Sequence, residues 1–147
     1  MRLTAKSRYA VTALLDLAIH AKSERVTLSE IAERHVISLS YLEQLFARLR
    51  KAGLVRGIRG PGGGYLLGKP VNHITIADII DGVNESISVK ESDYDENDFH
   101  DSMRLAYHLW ADLDREIASY LSGITLADVL EAKHRSPNES ILKFMKR

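Results

Sequence analysis

The sequence predicts a mainly α-helical fold organised around a helix–turn–helix with a two-stranded hairpin beside it. Residues 27–51 hold two short segments whose apolar positions recur at three-and-four spacing, separated by His35-Val-Ile. The β-type runs Leu54–Ile58 and Tyr65–Leu67 flank Arg59-Gly-Pro-Gly-Gly-Gly64, the pattern of a hairpin with a tight turn. Residues 102–122 carry an apolar stripe too wide for one small domain to cover. Together these describe a winged helix–turn–helix DNA-binding domain with a two-stranded wing and a long C-terminal dimerisation helix. The expected organisation is a winged domain over 1–83, an acidic loop over 84–101, the dimerisation helix and a short following helix over 102–133, and a basic tail over 134–147.

Each element has a local cause. The first helix is expected from Thr4 to Lys22, its stripe formed by Tyr9, Ala10, Ala13, Leu14, Leu17, Ala18 and Ala21. Thr27-Leu-Ser-Glu30 is a capping box, followed by Leu28, Ile31 and Ala32 on one face. Ser38 can cap the next helix, whose stripe is Leu39, Leu42, Leu45, Phe46 and Leu49, with Gly53 as its left-handed stop. After the wing, Val71–Ile74 connects to a short helix capped by Thr75, which buries Ile76, Ile79, Ile80 and Val83 as core. The long helix opens at Asp101 or Ser102, and Thr125 caps the short helix after it, expected at the dimer edge. The tail from His134 is basic, with Ile141, Leu142, Phe144 and Met145 on one side if helical.

Charge is distributed unevenly. The formal total is zero, but residues 1–70 hold 12 Lys and Arg against 5 Asp and Glu, while residues 71–147 hold 8 against 15. One half is built to meet a polyanion and the other is not. No apolar run approaches the roughly 20 residues that cross a bilayer, so no membrane partner is expected. The N-terminal cations lack an uninterrupted apolar core behind them, so no signal peptide is expected and the chain is expected to be cytoplasmic. Zero cysteines exclude disulfides, thiol catalysis and thiolate metal sites.

The second helix of the motif leaves Ser38, Ser40, Tyr41, Glu43 and Gln44 outside its stripe, followed by Arg48, Arg50 and Lys51. Short polar groups at the front suit base edges, and cations behind suit phosphates. Glu43 stands out, because a carboxylate near phosphates is unfavourable unless it accepts a hydrogen bond from a base, and cytosine's exocyclic amine is the natural donor. Its bland alternative is a surface ion pair with Arg48 or Lys51. Arg59 and Gly60 sit at the wing tip, where a guanidinium suits the negative potential of a minor groove. Arg2, Lys6 and Arg8 oppose the dipole of the first helix, which favours phosphate contact over a solvated helix end.

The opening MRLTAKSRYAVTALLDLA, the run ISLSYLEQLFARLRKAGLV and RGPGGGYLLGK resemble the IscR-like iron–sulfur cluster regulators of the Rrf-type winged-helix transcription factors. The likeness covers nearly the whole chain. It implies a bacterial homodimer on near-palindromic duplex operators, with the first helix touching the DNA backbone and joining the dimer. It also implies a [2Fe–2S] cluster on three cysteines and a histidine between the wing and the long helix. Those ligand positions fall here on Ser92, Asp98, Arg104 and Tyr107, so none is preserved and the cluster is expected to be absent.

Residues 84–101 hold seven acids and one lysine without helical or strand period, a composition that favours a solvated loop. Asp93, Asp95, Glu96, Asp98, His100 and Asp101 offer hard ligands to a divalent metal, but the pattern is no EF-hand and no metal is predicted. Two versions of a regulator stay open: a constitutive binder, or one whose loop senses a metal or a small molecule. A protein-interaction module is the competing class. An enzyme is not expected, since no nucleophile–base pair and no phosphate-cradling loop opening a helix is present.

Overall fold

A computed structural model of the chain describes residues 3–21, 24–84 and 101–132. Along it run α1 (Ala5–His20), α2 (Leu28–His35), α3 (Leu39–Lys51), β1 (Val55–Ile58), β2 (Gly64–Leu67), a 3-10 turn at Val71–His73, α4 (Ile76–Val83), α5 (Asp101–Ser122) and α6 (Leu126–Glu131). Thr4 caps α1, and the Thr27–Glu30 capping box closes in both directions, at 3.2 and 3.3 Å. Ser38 accepts from Tyr41 N to start α3, and Gly53 follows its end at φ +78°. Thr75 and Thr125 also head capping boxes, with Asp78 and Asp128 as the reciprocal carboxylates.

Apolar side chains from every face converge on one core: Ala10, Leu14 and Leu17 of α1, Ile31 of α2, Leu42, Leu45, Phe46 and Leu49 of α3, and Ile79, Ile80 and Val83 of α4. Three expected members lie outside it, among them Ala18, which is only half-buried. Tyr9 is exposed and meets Tyr41 edge-on, with ring centroids 5.8 Å apart, at the margin between α1 and α3. Leu39 is exposed in the first turn of α3, one turn ahead of Leu42, the first of its stripe to reach the core.

β1 and β2 pair antiparallel, with Val55 opposite Leu67 and Ile58 opposite Gly64. The segment before α2 adds a third rung, since Val26 and Tyr65 exchange backbone hydrogen bonds at 3.1 and 2.8 Å. A Cβ at Gly64 would lie 2.7 Å from the Val26 carbonyl oxygen, so this close approach requires glycine.

α6 is tied to the head of α4. Leu126 is fully buried, and Thr75 bridges Thr125: Ile76 N donates to Ile124 O, and Leu126 N to Ile74 O, both at 2.9 Å. Burying Leu126 in the core, with backbone donors and acceptors waiting at the head of α4, draws α6 inward. α5 behaves differently. None of its side chains is fully buried; Ile117 and Leu121 are partly covered.

One strained residue joins α2 to α3. Val36 has φ +53° and ψ +47°, and among the described residues it is the non-glycine residue at positive φ. A left-handed L-residue costs about 1–2 kcal/mol, and β-branching worsens it. Its side chain is 94% exposed, so no packing at Val36 offsets that cost.

Candidate nucleic-acid interface

The outer face of α3 presents Ser40, Glu43, Gln44 and Ala47, all exposed, with Arg50 and Lys51 exposed behind them. This i, i+3, i+4, i+7 spacing keeps them on one side because the opposite stripe is buried. The other expected readers are partly committed. Ser38 Oγ caps α3 and lies 2.9 Å from Ser40 Oγ, while the Tyr41 ring is half-buried against Tyr9 and the core. Glu43 makes no ion pair among the described residues, so the surface pair with Arg48 or Lys51 is not formed.

Arg48 points the other way. Its Nη1 donates to the Val83 carbonyl at 2.9 Å, at the C-terminal end of α4, where backbone carbonyls lack helical partners and favour a cation.

Arg59 is exposed at the entrance to the wing turn. Gly60 and Gly62 take φ +114° and +72° there, and Gly63 N donates to Gly60 O at 2.8 Å. Arg59 and Arg50 line one cleft of about 300 Å³ with Thr27, Leu28, Gly64 and Tyr65, so the wing, α3 and the N-terminus of α2 meet around it. Arg25 was not singled out from sequence: a Cβ at Gly62 would lie 3.5 Å from its Nη2, so it brings a third guanidinium beside the wing turn. The signal available was a cation next to the strand-like Val26.

At the start of α1, Lys6 is half-buried. Arg8 is exposed and lines an apolar groove of about 640 Å³ with Val11, Ile76, Ile80, Ile117 and Tyr120, where Glu116 also faces it. Arg2 lies outside the described residues.

A second charged assembly was also missed. The Asp16 side chain is only 2% exposed. Arg34 Nε and Nη2 donate to its two oxygens at 2.8 and 2.7 Å, His35 Nε2 lies 2.8 Å from Oδ2, and His20 Nε2 lies 3.9 Å away. Burial pushes its pKa up, but hydrogen bonds from Arg34 and His35 and the charges of Arg34 and His20 outweigh that, leaving the carboxyl below its ordinary value. An aspartate inside Leu14-Leu-Asp-Leu17 was the available signal, since a charge within a buried stripe needs a partner.

The ligand set implied by the resemblance does not fit a thiolate-held cluster. The chain has no cysteine, and Arg104 and Tyr107 are exposed on α5, a guanidinium one turn from a phenol. Ser92 and Asp98 lie outside the described residues, as do Asp93, Asp95, Glu96 and His100 of the acidic loop and the basic tail. Among the described residues no three His, Asp or Glu side chains form a metal-binding group, and no helix is long and apolar enough to cross a membrane.

Residues 3–132 match the family described as "Rrf2: Iron-dependent Transcriptional regulator". An HTH-type transcriptional regulator of Azotobacter vinelandii, ORF2, is 52% identical over 130 residues, spanning 88% of this chain and 79% of its own. The HTH-type transcriptional regulator IscR of Yersinia pseudotuberculosis is 49% identical across 95% of this chain and 89% of its own. Among solved structures, T. potens IscR superposes with a TM-score of 0.74 at 36% identity, covering 93% of this chain and 91% of its own. CymR, the global cysteine regulator of B. subtilis, superposes with a TM-score of 0.70 at 36% identity, over 88% and 95%. A buried stripe that frees one face of α3, a glycine wing beside it, and relatives of this kind lead to one conclusion: the chain belongs to the Rrf2 family and is an IscR-like, winged-helix, DNA-binding transcriptional regulator, not an enzyme.

Proposed function

We propose that the protein reads duplex DNA as a homodimer, in the cytoplasm, without an iron–sulfur cluster. Ser40, Glu43 and Gln44 face base edges from α3, with Ser38 and Tyr41 setting the first turn that carries them. Arg50 and Arg59 hold phosphate or minor groove from either side of their shared cleft, joined by Lys6 and by Arg2. Arg48 and Arg8 enter as supports, the first through Val83 and the second beside the groove under α5. The observation that carries this reading is the exposed polar face of α3 flanked by the cleft that joins Arg50 to Arg59.

Pairing through α5 follows from its surface. Leu105 is 71% and Trp110 60% exposed, and Met103, Tyr107, Leu109, Leu113 and Tyr120 are exposed with them. So much apolar surface on one helix marks an interface, and a second copy satisfies it with an isologous contact. Two α3 helices then meet successive major grooves about one duplex turn apart.

Selection of bound fragments from random DNA at two salt concentrations, with light scattering on the complex, tests this. The expected result is a near-palindromic site bound by two chains, with affinity falling steeply as salt rises. A single chain without preference among duplexes refutes it.

A further inference from the structure

The turn between α2 and α3 is held by a buried ion pair as well as by packing of Ile37 against the core. Val36 is left-handed, β-branched and almost fully exposed, and α2 contributes one fully buried side chain, Ile31. The two residues immediately before Val36 are both tied to a single buried carboxylate on α1: Arg34 by two hydrogen bonds at 2.8 and 2.7 Å, and His35 at 2.8 Å. After the turn, Ile37 N donates to Ala32 O and Ser38 caps α3. Asp16 therefore clamps one side of a strained residue whose other side is the N-terminus of the reading helix.

We propose that Asp16 is a positioning residue for DNA recognition: through Arg34 and His35 it holds Val36 left-handed and so sets the direction in which α3 leaves the turn. Strained backbone persists where surrounding contacts over-determine it, and here the exposed Val36 has the buried fork on one side and the half-buried Ile37 on the other. A guanidinium–carboxylate fork fixes orientation as well as distance, which a single apolar contact does not. The charged and titratable groups facing Asp16 are Arg34 and His35 from α2 and His20 from its own helix. Arg34 Nε and Nη2 both donate to Asp16, so the fork is committed to that carboxylate.

The proposal rests on the DNA-binding reading above, and its test separates the two. The full-length parent and Asp16→Asn are compared on the duplex selected from random DNA and on a scrambled duplex of equal length, at two salt concentrations. Near-UV circular dichroism of each variant is recorded alongside. Asp16→Asn should lose about tenfold or more on the selected duplex, with about equal affinity for the scrambled one and an unchanged salt slope. Arg34→Gln should give the same loss, and the double variant no more than either alone. Val36→Gly in the Asp16→Asn background should recover most of the loss, because glycine takes the left-handed conformation without a clamp. Should Asp16→Asn fail to fold, Arg34→Lys, which keeps the charge and loses the fork, carries the same comparison.

Equal loss on both duplexes, a salt slope reduced by about one phosphate in Arg34→Gln, or no recovery with Val36→Gly each overturns the proposal. Unchanged selectivity in Asp16→Asn overturns it while leaving the DNA reading intact. A parent without selectivity overturns both.

Discussion

Arg48 of α3 donates to the carbonyl of Val83 at 2.9 Å, so a cation on the helix that carries the reading face is turned inward to the end of α4. Removing it leaves a part-buried acceptor without this donor. Arg48→Ala should cost about 1–3 kcal/mol in urea unfolding. The salt dependence of DNA binding should stay unchanged, whereas Arg50→Ala should lower its slope by about 0.9.

Glu43 is exposed on the reading face and makes no ion pair among the described residues. On the proposed reading face a carboxylate repels phosphates and favours a site that offers it a hydrogen-bond donor, so it would act as a filter rather than a grip. Glu43→Ala should broaden the set of duplexes recovered from random DNA more than it weakens binding to the best one. Equal weakening across all sequences rules this out.

Asp16 carries a pH signature. Its carboxyl lies below the ordinary aspartate value despite burial, so the folded chain binds its proton less readily than the unfolded chain. The associated stability is therefore fully present above about pH 5 and is lost as pH falls below the ordinary value of about 3.9. Urea unfolding from pH 7 to pH 3 should show the gap between the parent and Asp16→Asn narrowing at the acid end. A constant gap would mean that the charge contributes nothing.

With no thiolate in the chain, anaerobic reconstitution with iron and sulfide should leave the protein colourless and without stoichiometric iron. Visible absorption with bound iron would contradict the cluster-free reading.

The elements that depend on neighbours in sequence were legible from the residues. Thr27 with Glu30, Ser38 ahead of Leu39, Thr75 ahead of Ile76, and Gly53 past Lys51 each act within one turn, and the structure places all four as expected. What escaped depends on partners far along the chain. Arg48 meets Val83 35 residues away, and Asp16 meets Arg34 18 residues away. Leu126 returns to the head of α4, which spacing within α6 does not reveal. Helical periodicity also overestimates burial at the ends of a stripe, as Tyr9 and Leu39 show, because it gives the direction of a side chain and not the extent of the surface it meets.

The stitch between Ile74–Ile76 and Ile124–Leu126 has a geometric consequence for a paired molecule. It rivets the lower end of α5 to the same block that carries α3, so in the proposed homodimer the distance between two reading heads would be measured by a rigid rod and not by slack in a tether. Four extra residues within α5 should change the preferred spacing between half-sites, whereas extra residues after α6 should leave it as it was.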